Sequence, residues 1–92
     1  LFCASDLMAI GACRAIVDLG LSVGPDILVA GFDDIPIARY LYGGLTTIRQ
    51  NFYRMGYIAG QAVYDKIEGT AKAHLNDVMY ELVVRGSTRP DN

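Results

Sequence analysis

The run Ile27-Leu28-Val29-Ala30-Gly31-Phe32 constrains this chain more than any other stretch. It is apolar without alternation, the signature of a strand buried on both faces in a parallel sheet. What precedes it narrows the fold further. Leu1-Phe2-Cys3-Ala4 reads as a short buried strand, followed by Ser5 and Asp6, either of which can cap a helix. Leu7, Ile10, Ala12, Cys13, Ile16 and Val17 then recur near helical spacing. Gly20 suits the residue just past a helix end, where positive φ carries no side-chain penalty, and Leu21 supplies the usual apolar residue after it. Gly24-Pro25-Asp26 is a turn. Strand, helix and strand in this order predict a right-handed βαβ unit with parallel strands, hence the α/β class.

Beyond the run, Pro36 suits the first turn of a short helix reaching about Tyr40, and Tyr42-Gly43-Gly44 turns the chain. Leu45-Thr46-Thr47-Ile48 reads as a strand or extended crossover. Asn51 caps a second helix with the face Phe52, Met55, Ile58/Ala59, Ala62/Val63 and Ile67, ended by Gly69. Residues 70–76 read as a polar loop, 78–84 as a last strand and 86–92 as a polar tail.

With 8 Lys+Arg against 10 Asp+Glu, the net charge of −2 excludes a basic module that neutralises rows of phosphates. At 52% hydrophobic and 20% charged, the chain is not a disordered segment. No run of eighteen apolar residues spans a membrane. The 92 residues make at most one small domain, yet they open inside a strand without an initiator methionine, so we expect a piece of a longer protein. Cys3 and Cys13 are too few for a disulfide framework and read as buried thiols, which fits a reducing cytoplasm.

In a parallel sheet, ligands bind beyond the carboxyl ends of the strands. Those ends carry Ser5-Asp6, Asp33-Asp34 and Arg49-Gln50-Asn51. Carboxylates, a hydroxyl and an amide together suit a sugar or another polyol. Asp6 and Asp34 have an alternative reading as helix caps, which leaves Asp33 the stronger candidate. Two adjacent acids can also hold Mg²⁺, but no phosphate-cradling glycine loop and no ordered Ser/His/Asp set accompanies them, so we expect neither an enzyme nor a bound metal or cofactor. His74, the only histidine, reads as an exposed loop residue, and Arg14 and Arg39 read as solvated charges.

The stretch Ala4-Ser5-Asp6-Leu7-Met8-Ala9-Ile10-Gly11-Ala12 resembles the "ANDxMAxGA" segment of the LacI/GalR family of bacterial transcriptional regulators. The resemblance continues through Leu19-Gly20-Leu21-Ser22-Val23, Gly31-Phe32-Asp33-Asp34 and Leu45-Thr46-Thr47-Ile48-Arg49-Gln50. Met55-Gly56 and Leu82-Val83-Val84-Arg85-Gly86-Ser87-Thr88 extend it. It implies part of a core like the periplasmic sugar-binding proteins, built from two Rossmann-like subdomains with parallel sheets and flanking helices. By that resemblance 1–48 belong to the C-terminal subdomain, 49–77 are a crossover and a helix of the N-terminal subdomain, and 78–92 are a return strand and tail.

The same resemblance places ligand contacts at Ser5, Asp33 and Gln50, with Ser5 standing where the family commonly has Asn. It places a homodimer surface at Ile10, Cys13, Arg14 and Val17 with Ile37, Tyr40 and Leu41. The implied function is effector sensing and dimerisation in a cytoplasmic repressor that meets operator DNA only through a domain outside this chain. The alternative is the periplasmic sugar-binding component of a transporter.

Overall fold

The computed structural model describes residues 1–69 and 80–91. The chain divides into two compact units, one formed by Leu1–Arg49 with Glu81–Asn92 and the other by Gln50–Tyr80.

The first unit is the expected parallel arrangement. Phe2 pairs with Ala30 and Ala30 with Thr46, both in parallel, so the segment of the apolar run lies between the other two. Backbone hydrogen bonds carry the register: Cys3 N to Ala30 O at 2.8 Å, Gly31 N to Thr46 O at 2.8 Å and Asp33 N to Ile48 O at 2.9 Å. Helix α1, Asp6–Asp18, connects the first two segments. Ser5 caps it by accepting a hydrogen bond from Met8 N. Its end closes with bonds from Gly20 N to Val17 O and Leu21 N to Ile16 O, the paired pattern that a left-handed glycine permits.

Asp6, Ala9, Cys13 and Ile16 form the inward stripe of α1, and the last three pack with Val23, Val29, Ala38 and Leu45 in the core. Two expectations are corrected here. Cys13, assigned to a dimer surface, is fully buried, because a residue four after Ala9 falls on the same inward face. Burial, and then the nearby Cys3, push its thiol pKa up. The apolar run is not buried on both faces in this chain: Val29 is enclosed, whereas Leu28 is 43% exposed and Ala30 and Phe32 are half-buried. Only the face beneath α1 is covered.

Pro36–Tyr40 forms a short 3-10 helix, and Tyr42, Gly43 and Gly44 turn at positive φ. Strand β1, Thr47–Gln50, pairs with β2, Tyr80–Val83. The expected last strand thus exists over its described part, while Val78, His74 and the loop 70–76 lie outside the described residues.

The expected polar tail is a structural element instead. Gly86–Thr88 is a 3-10 turn in which Gly86 and Ser87 are buried. A hydroxyl can both donate and accept, and Ser87 uses both capacities. It donates to Val29 O at 2.6 Å and accepts from Thr46 N at 2.8 Å. Thr46 adds bonds to Arg85 and to the Thr88 hydroxyl.

In the second unit, helix α2 spans Phe52–Glu68. Asn51 caps it through Arg54 N at 3.0 Å, and Gly69 ends it at φ 76. Ile58 is its one buried residue.

Candidate functional site

The carboxyl ends of the three extended segments meet at one edge of the first unit. Asp6 N donates to Phe32 O at 2.9 Å, and Asp33 N donates to Ile48 O at 2.9 Å, so the residues following the segments lie side by side. Most of their polar groups are already engaged with one another.

Asp6 is fully buried. Its Oδ1 accepts from the Thr47 hydroxyl at 2.7 Å and its Oδ2 from Ile35 N at 2.8 Å. Such burial is tolerable because both oxygens have donors. Its neighbour in space is Gly31, where an added Cβ would overlap Asp6 Oδ1 and lie 3.1 Å from Leu45 Cδ2. Glycine is therefore required for Asp6 to reach inward at this point. The Thr47 hydroxyl also accepts from Asp34 N at 3.2 Å.

Asp34 is the electrostatic hub. Arg49 Nε donates to its Oδ2 at 2.8 Å, and Arg85 Nη1 donates to its Oδ1 at 2.9 Å. Arg85 Nη1 also reaches Leu45 O at 3.0 Å, and Arg49 Nη1 pairs with Glu81 at 3.0 Å. Burial pushes the Asp34 carboxyl up. Hydrogen bonds from Arg85 and Arg49, together with their charges, outweigh it and hold the group below the usual carboxylate range. Asp34 in return raises the Arg49 guanidinium.

Neither acid is a side-chain helix cap. Ser5 takes that role for α1, and the helix at Pro36 has no side-chain cap. Asp6 and Asp34 are internal ties, and the reading of them as caps is corrected.

Asp33 differs from both. It is partly buried, and among the described residues its carboxylate has no hydrogen-bond or ion-pair partner. Ser5 spends an acceptor on its cap and retains its O–H donor. Gln50 lies at the end of β1 and counts with the second unit, with no side-chain partner among the described residues. Asn51 is taken by its cap. Of the other expected surface residues, Arg14 is exposed and pairs with Asp18 at 3.1 Å. Val17, Ile37 and Tyr40 are exposed, whereas Ile10 is half-buried against the core and Leu41 is half-buried.

The residues that sequence reasoning missed are Thr47 and Arg85. Both serve the edge, and both reach it from far along the chain, Thr47 meeting Asp6 across 41 positions and Arg85 meeting Asp34 across 51. An arginine just before a glycine turn was the available signal for Arg85. Thr47 carried none beyond β-branching.

The chain is 48% identical over 87 residues to the HTH-type transcriptional regulator MalR of Streptomyces coelicolor, covering 94% of this chain and 25% of that one. It is 39% identical over 89 residues to the HTH-type transcriptional repressor PurR of Histophilus somni, covering 96% and 27%. Among solved structures it is similar to a dimeric Lac repressor with an 11-residue C-terminal deletion, at TM-score 0.82 and 36% identity, covering 96% of this chain and 32% of that one. The chain thus spans about a quarter of the length of the curated relatives it matches. These are regulators rather than enzymes or transport components, and the resemblance to LacI/GalR regulators holds. The periplasmic binding protein-like domain family matches residues 1–88, and this α/β chain belongs to that family.

Proposed function

We propose that this chain is part of the effector-binding and dimerisation core of a DNA-binding transcriptional regulator of the LacI/GalR kind, one that senses a sugar or related polyol in the cytoplasm. The observation that carries the reading is Asp33. At an edge where Asp6, Asp34, Thr47 and Arg49 all satisfy one another, its carboxylate is left with no partner among the described residues. An unengaged acceptor beyond the ends of parallel strands is where a ligand hydroxyl is received. Ser5 offers its hydroxyl donor in the same unit, and Gln50 is proposed as a further contact because its amide is likewise unengaged.

The names of the relatives support regulation over transport. The similar Lac repressor is dimeric, and we assign the homodimer surface to Arg14 and Val17 of α1 with Ile37, Tyr40 and Leu41, Ile10 contributing at its margin. Operator contact is assigned to a helix-turn-helix outside this chain, since a net charge of −2 supplies no phosphate-binding surface. Residues 1–48 are assigned to the C-terminal subdomain of that regulator, 49–77 to a crossover and a helix of the N-terminal subdomain, and 78–92 to the return strand and tail. The effector acts by binding one state of the regulator more tightly than another.

Calorimetry with a panel of mono- and disaccharides on the proposed full-length regulator tests this. Asp33→Ala is expected to weaken the effector at least about tenfold, the loss of one charged hydrogen bond. Equal affinity in wild type and variant removes Asp33 from the site. Operator affinity that no tested sugar changes counts against sugar sensing.

A further inference from the structure

We propose that Asp34 is the positioning residue for Asp33: its carboxylate, gripped by Arg49 and Arg85, holds the Asp33-Asp34 turn in the backbone state that presents Asp33 at the strand ends. The proposal rests on the reading of Asp33 as a ligand acceptor and adds the device that keeps it in place.

Asp33 and Asp34 have φ of 114° and 55° in succession. Side-chain-bearing residues avoid this region, and a turn built from two of them persists only where its surroundings over-determine it. Here they do. Three successive amides are captured, those of Asp33, Asp34 and Ile35, by Ile48 O, Thr47 Oγ1 and Asp6 Oδ2. The side chain of Asp34 fixes the turn a second way. Each carboxylate oxygen is taken by a different guanidinium, and Arg85 is itself anchored on Leu45 O.

All this fixing leads to a residue whose own side chain gains nothing within the described structure. The Asp33 carboxylate has no partner there, so among the described residues no contact of that group offsets its strained backbone. Strain without an internal return is what a preorganised binding group shows. The same ion pair also fixes Arg49, the residue that precedes Gln50 in the chain.

The test is a double-mutant cycle on the chain, read by urea unfolding, with Asp33→Gly, Asp34→Asn and both together. Glycine adopts φ of 114° freely, so Asp33→Gly is expected to leave the urea midpoint unchanged or raise it. Asp34→Asn is expected to lower it. With the strain gone, Asp34 has less to hold, so the double variant loses less than the sum, by about tenfold in the folding constant. Additive losses overturn the proposal. If Asp34→Asn does not fold, Arg49→Gln, at a half-exposed side chain, takes its place in the cycle with the same expectation.

A second arm uses calorimetry with glucose, galactose and maltose on the full-length regulator. Asp34→Asn is expected to weaken a bound sugar about tenfold while the purified variant stays folded. Unchanged affinity overturns the positioning role. If wild type binds none of the three, the ligand reading loses its support, and the cycle still decides whether Asp34 holds the turn.

Discussion

Helices α1 and α2 make an instructive pair. Both are cleanly capped, Ser5 and Asn51 each meeting a first-turn amide and a left-handed glycine following each end. Both present apolar residues at helical spacing. Yet α1 buries four side chains and α2 one. The first unit even encloses polar groups, Asp6, Thr46, Thr47 and Ser87, while α2 leaves Phe52, Tyr53, Tyr57, Tyr64 and Ile67 in the open. Tyr53 and Tyr57 stack on one another at 6.5 Å between ring centroids. Periodicity tells which side of a helix is apolar. What covers that side is decided by long-range partners, and in the first unit these are the parallel segments and their polar ties.

The contrast can be broken by mutation, most severely first. Leu45→Ala, at a residue 1% exposed, is expected to cost about 2–5 kcal/mol of unfolding free energy in urea titration. Ile67→Ala in α2, at a residue 76% exposed, is expected to stay within about 0.5 kcal/mol. Similar losses at both sites would mean that α2 is as enclosed in solution as the core against which α1 packs. Gly31→Ala drives a methyl into Asp6 and is expected to cost about 1–3 kcal/mol, with loss of the slowest-exchanging amides around Asp6.

Ser87→Ala strands Thr46 N–H and Val29 C=O inside the first unit, an expected cost of about 1–3 kcal/mol by the same titration. Acid sharpens the comparison. The lowered Asp34 carboxyl contributes stability that is fully present above the ordinary aspartate value of about 3.9 and is lost as pH falls through its lower folded value. Unfolding followed by fluorescence of the tyrosines should therefore show Asp34→Asn flattening the stability profile below about pH 4. Asn51→Ala, removing only the α2 cap, is expected to cost about 1 kcal/mol of helix stability seen by circular dichroism.

Much of this was legible in the residues. The apolar run at 27–32, the Ser5 and Asn51 caps and the glycines at 20 and 69 are local signals, and local signals determine element type and ends. Asp33 stood out as a candidate because it follows the central strand and, unlike Asp6 and Asp34, has no reading as a helix cap. The roles of Asp34 and Asp6 were not. Each depends on partners dozens of residues away in sequence, and a carboxylate beside a helix looks the same whether it caps that helix or ties down a distant strand. Cys13 is buried, as its reading as a buried thiol expected, and only the dimer surface implied by the family resemblance placed it outside. The first helix is apolar over a wide arc, so its inward and outward faces separate only once Ala9 and Ile16 are seen against the core. The 86–88 turn read as a tail because polar residues suggest solvent, although a hydroxyl with two partners is at home inside.

Gly31 has a consequence for the route to the fold as well as for the finished structure. With only one face covered, a one-residue slip in pairing would carry Val29 out of the core and turn Leu28 in. A slip here would set the Ala30 methyl or the Phe32 ring against Asp6, at a spot that accepts only a hydrogen atom. The missing side chain at position 31 thus adds a steric penalty to misalignment: a slipped segment would press a side chain on a buried carboxylate.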